Sequence, residues 1–359
     1  MGDKGDNKRD TGVEMESSRE EMDLESLADG LRNFEGVKRK RAIDDLVKRL
    51  GDSDKVGSRT ITGFGEDAAV LKIDDDNDTY LLLAMDGIWG RLLSVDPWWA
   101  GYCAVLVNVN DITAMGGTPL AMVNLTSTQK KEVCLELGRG MEDGVKKFGV
   151  PMVGGHLHPD TVYDALDVAI LGTVKRDSVI FSSGAKPGDK VVVAIDLNGR
   201  VSPRYNLAWD TTTRKSTAEI KKRLETMVKI GEKKLATAGK DISNPGTIGT
   251  LGMLLESSGA GALIELAKIP RPSTEKISYD QWLKMYPGTG FVLTVESKAK
   301  GAECIRIFQE AGIAASIIGE VDTSKKLRIR GGERTATVFD FEKEKITGIV
   351  PSIIAYTMP

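Results

Sequence analysis

The chain has 359 residues, with 49 Lys and Arg against 52 Asp and Glu for a net charge of -3, and its length suits about two domains. At 41% apolar and 28% charged residues it is not a wholly disordered chain. The even charge balance argues against a dedicated nucleic-acid binder, and no apolar run reaches the ~18 residues of a membrane helix.

Cys103, Cys134 and Cys304 have neither metal-ligand spacing nor an even count, so a cytoplasmic location is expected. The chain has only two histidines, His156 and His158, against 39 glycines. Glycine tolerates positive φ and close backbone approach, and here it gathers in short loops near carboxylates.

In chain order, residues 1–21 hold almost nothing to bury and are expected to be a disordered tail, native or left from cloning. Leu24, Leu27, Leu31 and Phe34 form a helical stripe, and a second amphipathic segment follows the basic run Lys38 to Arg41. DAAVLKI and TYLLLAM flank a turn-rich DDDND and predict a hairpin. Asp96 and Pro97 predict the cap and first turn of a long helix that stops at Gly116-Gly117. A strand, a helix over about 129–147, a strand ending in VGGH and a further strand come next. The small, polar stretch 181–189 reads as a junction. Beyond it lie a buried strand, a helix over roughly 217–238, and a helix capped by Asn244 and Pro245 and ended by Gly259. GFVLTVE, a helix and AASIIGEV make a β-α-β unit, so the fold class is α+β. The expected division is 22–180, 181–345 and a C-terminal tail, 346–359.

GFGEDAAV fits a dinucleotide pattern formally, but a strand follows where that pattern needs a helix. Turning the hairpin near Asp76 places Asp67 opposite Met85 and Glu66 opposite Asp86. Carboxylates crowded in this way repel, and a divalent cation with a preference for hard oxygen would relieve them. A solvated strand end is the ordinary alternative. Asn108 and Asp111, at i and i+3 in an apolar helix, need buried partners: a metal, a nucleotide or core hydrogen bonds. Gly154 and Gly155 precede both histidines, where backbone amides would approach phosphate unless the pair is only a tight turn. An N-cap role explains Asn244 but leaves Asp241 unexplained. The basic run 38–41 is a solvated face or a cover over phosphates; Trp98, Trp99 and Tyr102 suit a core or a dimer interface.

Four motifs in order, GFGEDAAVL, MD with NVNDITAMGGTPLAM, VGGH, and DISNPGTIGTLGMLLESSG, resemble the superfamily of aminoimidazole ribonucleotide synthetase. Thiamine-monophosphate kinase, selenide water dikinase and an ATP-using hydrogenase maturation factor belong to the same superfamily. The resemblance covers about 22–345. It implies a fold in which the N-terminal domain supplies half of a dimeric β-barrel flanked by helices, with a C-terminal α/β sandwich closing the cleft. ATP and Mg2+ would sit at the homodimer interface. Glu66, Asp67, Asp86 and Asp111 match the acidic metal and nucleotide positions, and Asp241 matches the Asp of a kinase-type motif.

The chain departs from these enzymes on the substrate side. The thiamine kinase has two aspartates where Glu66-Asp67 stand, Gly-Gly-Asp-Thr in place of Gly154-Gly155-His156-Leu157, and Asp-Gly in place of Asn244-Pro245. The Gly-Gly-His is similar to the selenide enzyme, whose reactive N-terminal Cys or selenocysteine is missing here. DISNPGTIGTLGMLLE with YPGTGF resembles the archaeal methanogenesis marker protein 2 subgroup.

The resulting expectation is an ATP-dependent, magnesium-requiring phosphotransferase or ligase-like enzyme acting on a small-molecule substrate. Glu66, Asp67, Asp86 and Asp111 would hold metal. Gly63, Gly65, Asn108, Gly116, Gly117, Gly154, Gly155 and Asn244 would contact the nucleotide, with His156 and Asp241 at the chemistry. The alternative is a non-catalytic nucleotide-binding assembly subunit of the same fold.

Overall fold

The computed structural model describes residues 23–51, 59–74, 77–274 and 276–350. The expected tail, 1–21, lies outside them. Helix α1 (Leu24–Arg32) buries Leu24, Leu27 and Leu31, as their spacing predicts. A short helix α2 (Glu35–Lys38), a 3-10 turn through Arg39–Ile43 and α3 (Asp44–Leu50) follow.

The first sheet takes β1 (Thr60–Thr62), β2 (Ala69–Lys72), β3 (Thr79–Gly87), β4 (Thr118–Ser127), β5 (Met152–His158) and β6 (Ala165–Lys175), in the order β1-β2-β3-β6-β4-β5. The hairpin has the predicted register, Ala69 opposite Leu83 and Lys72 opposite Tyr80. Because β2 starts at Ala69, Glu66 and Asp67 lie in the loop before the ladder, not across from Asp86 and Met85. Between β3 and β6 run α4 (Gly90–Val95), α5 (Pro97–Ala114) and α6 (Lys131–Phe148). Asp96 caps α5 by accepting from the Trp99 amide at 3.1 Å, and Pro97 fits the first turn, where no amide is needed. Helix α5 is buried along nearly its whole length, so its polar residues need internal partners.

The second half supplies β7 (Lys190–Ile195), β8 (Arg200–Val201), β9 (Ala208–Asp210), α7 (Thr217–Glu232), β10 (Ala238–Asp241), α8 (Gly246–Ser258), β11 (Gly261–Glu265), α9 (Tyr279–Lys284), β12 (Tyr286–Pro287), β13 (Gly290–Val295), α10 (Lys298–Glu310), β14 (Ala314–Asp322), β15 (Lys326–Gly331) and β16 (Arg334–Asp340). Seven of these strands form a sheet ordered β10-β13-β7-β14-β11-β15-β16. Strands β13 and β14 are both antiparallel to β7, so the β-α-β unit spans one inserted strand. One core packs α1 and α8 with this sheet, and another packs α7 and α10 with it. Short strands β12, β9 and β8 form a third sheet.

Three expectations change. Helix α7 ends at Glu232 rather than near 238, because Lys234 adopts φ 51 and turns the chain out of the helix. Asn244 is not the cap of α8: Pro245 holds that position without a side-chain hydrogen bond, and Gly246 opens the helix. Residues 346–350, expected to start a tail, are tied down. Buried Glu256 accepts from the amides of Ile346 at 2.9 Å, Thr347 at 2.8 Å and Gly348 at 3.3 Å. Residues 351–359 lie outside the described residues. Among the described residues, no helix is long and apolar enough to cross a membrane.

Candidate active site

Three elements deliver carboxylates to one point. Asp67 comes from the loop before β2, Asp111 from α5 and Asp241 from the end of β10, and one oxygen from each lies within 4.8 Å of the others. Asp86, near the end of β3, adds a fourth negative group that interacts with Asp67 and Asp111. Lys240, buried beside Asp241 on β10, forms an ion pair with Asp67 that ties the first sheet's loop to the second sheet.

Burial dominates the electrostatics. It holds the Asp111 carboxyl well above the carboxylate range, and the charges of Asp86, Asp241 and Asp67 add to the effect. Asp241 is pushed up to about 8, by burial first and Asp67 second. Asp86 is also raised by burial, against an opposing pull from Lys40. Lys240 moves the other way from a lone buried amine: burial lowers its pKa, but Asp67, Glu66 and Asp241 outweigh it and the net shift is upward. Four carboxyls stand against the ammonium groups of Lys240 and Lys40, so ionising all of them would put an excess of negative charge out of water.

Two connected cavities open beside this cluster. The inner one, of about 200 Å3, is lined by Asp86, Asp241, Lys40, Asn110, Trp99 and Asn244 among others. Trp99 Nε1 and Asn110 Oδ1 are buried there without hydrogen-bond partners among the described residues, as is Asp67 Oδ2 in the cluster. Such atoms are costly unless a ligand, ion or water meets them. The outer cavity, of about 590 Å3, shares Gly36, Arg39, Trp89, Asn244 and Tyr286 with the inner one.

Several predicted residues are elsewhere. Glu66 does not join the aspartates: its carboxylate accepts from Ser182 N at 2.6 Å, Ser182 Oγ at 2.7 Å and Ser183 Oγ at 3.2 Å. It anchors the 181–189 junction instead. Asn108 donates to the Ala104 carbonyl at 2.8 Å inside the packing of α5, and Asn110 rather than Asn108 lines the inner cavity. Gly63 and Gly65 stay in the loop leading to Asp67; the Gly65 carbonyl accepts from Ser182 Oγ at 3.1 Å. Gly116 and Gly117 pack against Ser178 and Ile112 at the far end of α5.

Gly154, Gly155 and His156 do not form a loop. Strand β5 runs through all three to His158, pairing Gly154 with Val123 and Gly155 with Asn124. A Cβ on Gly155 would lie 2.6 Å from Asn124, so this glycine makes room for a neighbouring strand. His156 and His158 are exposed on that sheet edge, with rings 4.6 Å apart. Strand β5 lies three strands from β3, so His156 is on the order of 14 Å from Asp86 along the sheet. Asn244 does line both cavities.

Lys240 and Asn110 escaped the sequence reading. Only a Lys directly before a noted Asp, and a second Asn beside Asp111, could have signalled them. The basic run does approach the cleft: Arg39 and Lys40 line it, and Gly36 makes that possible. A Cβ on Gly36 would lie 2.2 Å from the Asn244 carbonyl oxygen, so only glycine lets α2 dock there. Trp99 and Tyr102 are core residues, stacked with ring centroids 5.4 Å apart.

An α+β chain with two large sheets and a buried cluster of carboxyls beside a cleft has the donor chemistry to hold a hard divalent cation. The particular family follows from comparison: the chain belongs to the AIR synthase related proteins. Its residues 65–174 match that family's N-terminal domain and 186–332 its C-terminal domain. An uncharacterized protein of Methanocaldococcus jannaschii is 50% identical over 91% of this chain and 100% of its own length. One from Synechocystis is 35% identical over 90% of this chain and 98% of its own. Thiamine-monophosphate kinase of Buchnera aphidicola is 25% identical over 78% of this chain and 91% of its own.

Among solved structures, T. maritima PurL complexed with ADP superposes with a TM-score of 0.70 at 18% identity. That match covers 89% of this chain but 51% of PurL, so the chain spans about half of that relative. AaThiL complexed with AMPPCP and TMP gives a TM-score of 0.60 at 18% identity, over 83% of this chain and 98% of its own. The family therefore includes kinases, and structures sharing the fold hold adenine nucleotides or their analogues.

Proposed function

We propose that the chain is an ATP-dependent, magnesium-requiring enzyme that transfers a phosphoryl group to, or activates, a small molecule. The convergence of Asp67, Asp111 and Asp241 carries this reading. The donor set suits a hard divalent cation: all the ligand atoms are carboxylate oxygens, Asp67 Oδ2 lacks a partner among the described residues, and ionising the cluster would leave it with excess negative charge. Bound there, magnesium would neutralise charge on the phosphates. Asp67, Asp111 and Asp241 would hold it, with Asp86 at the cavity wall and Lys240 fixing Asp67. Lys40, which lines the inner cavity, would meet the phosphates. Asp241, expected at the chemistry, is better placed as a cation ligand. Glu66 is better placed as a structural anchor for the junction.

The six-stranded sheet also supports the homodimer. Leu83, Met85 and Val123 are exposed on one face of it, an apolar surface that pairing two copies would bury. Gly154, Gly155 and His156 stand on the same sheet's edge and would reach a nucleotide only across such a dimer.

The test is ATP turnover with magnesium over candidate acceptors, comparing wild type with Asp86→Asn. The expected loss is about 100-fold, the scale of removing one preorganised electrostatic group. Undiminished turnover would remove the carboxylates from the reaction. Tight Mg-ATP binding with no turnover on any acceptor would favour the nucleotide-binding assembly subunit.

A further inference from the structure

The outer cavity differs in chemistry from the acidic cluster next to it. Arg39, Arg91 and Arg204 face it, with Glu35 as the lone carboxylate in its lining. Arg91 reaches Glu35 only at 4.0 Å, with both side chains more than half exposed, so that pair neutralises little. Arg39 has no carboxylate partner among the described residues; its guanidinium lies 4.6 Å from the centre of the half-buried Trp89 ring. Tyr205 meets the same ring edge-on at 5.9 Å, and Tyr286 continues the aromatic wall at 6.0 Å from Tyr205.

A guanidinium over an indole with no carboxylate partner among the described residues can offer its N–H groups to an oxyanion. The aromatic wall offers stacking to a flat ring, and a volume of about 590 Å3 suits a ligand of drug-like size. The two cavities share Gly36, Arg39, Trp89, Asn244 and Tyr286 in their walls, so a molecule in the outer one would lie next to the chamber lined by Asp86 and Asp241.

We infer that the outer cavity is the acceptor site, and that the acceptor is a ring-bearing anion, a heteroaromatic molecule carrying a phosphate or carboxylate group. Arg39 and Arg91 bind its charge, and Trp89 and Tyr205 stack on its ring. The inference rests on the phosphoryl-transfer reading for the word acceptor, but the binding chemistry is measured without turnover.

The probes are pyridoxine 5′-phosphate and thiamine monophosphate, with pyridoxine as a ring without charge and inorganic phosphate as a charge without a ring. Each is titrated calorimetrically into the full chain without ATP or magnesium. At least one ring phosphate should bind about tenfold tighter than either control, and Arg39→Ala and Trp89→Ala should each weaken it about tenfold. Mg-ATP affinity, measured on the same variants, should stay within about threefold of wild type. Saturable binding by neither ring phosphate overturns the inference, and so does binding that both variants leave unchanged. A parallel fall in Mg-ATP affinity would assign the cavity to the nucleotide's base and overturn it as well. Failure of the turnover test with these binding results intact would count against the phosphoryl-transfer reading alone.

Discussion

Asp241 concentrates the cost of the site in one side chain. Its carboxyl is pushed up to about 8 by burial and by Asp67, and Asp86 and Asp111 are raised in the same direction. A carboxyl with a folded pKa above its unfolded value makes the folded chain hold the extra proton. Its contribution to stability is therefore full below about pH 4 and is lost as pH rises through about 8. The metal-free chain should show a thermal midpoint that falls between about pH 5 and pH 8. Magnesium should raise that midpoint more at pH 8 than at pH 6, because binding must displace these protons. A midpoint that is flat with pH and insensitive to magnesium would contradict both the burial and the cation assignment. Asp67, Asp86 and Asp111 were legible in the sequence because each breaks a local pattern: acids at a strand entrance, at a strand end, or inside an apolar helix. Lys240 was not legible, because a lysine on a short edge strand is ordinary until the fold sets Asp67 against it.

Element placement shows where local reasoning holds and where it stops. Helix α5 starts as Asp96 and Pro97 dictate, and β2 and β3 pair in the expected register. Two adjacent glycines signal a turn, so the sequence predicts that β5 ends at Gly154 and Gly155. Pairing with β4 overrides that preference and keeps the segment extended. The approach of α2 to Asn244 was invisible, because it depends on a contact between segments more than 200 residues apart. Gly36→Ala should push α2 off the Asn244 carbonyl, costing about 1–3 kcal/mol and raising amide exchange across the Arg39–Ile43 turn. In the second half, fully buried Asp196 pairs with Arg223 at 2.7 Å and Lys215 at 3.1 Å. Asp196→Ala leaves two buried cations uncompensated and should cost about 3–5 kcal/mol in urea unfolding, more than any surface pair would.

At the scale of the molecule, the two sheets are joined where function is proposed. Lys240 to Asp67 and Ser182 to Glu66 are among the polar links there. The α+β class was readable from alternating patterns, whereas the exposed apolar face of the first sheet was not, since alternation alone does not say which side a helix covers. That face predicts self-association. Met85→Asp with Val123→Asp should convert a dimer to a monomer in sedimentation velocity, and a wild type that sediments as a monomer would remove the barrel from the account. The central claim, a cation held by Asp67, Asp111 and Asp241 for a bound nucleotide, is tested most directly by titrating Mn2+ with a non-hydrolysable ATP analogue into wild type and Asp111→Asn, read by calorimetry. The account predicts saturable binding in wild type that is about tenfold or more weaker in the variant. Equal affinity in the two proteins, or no binding to either, would contradict it.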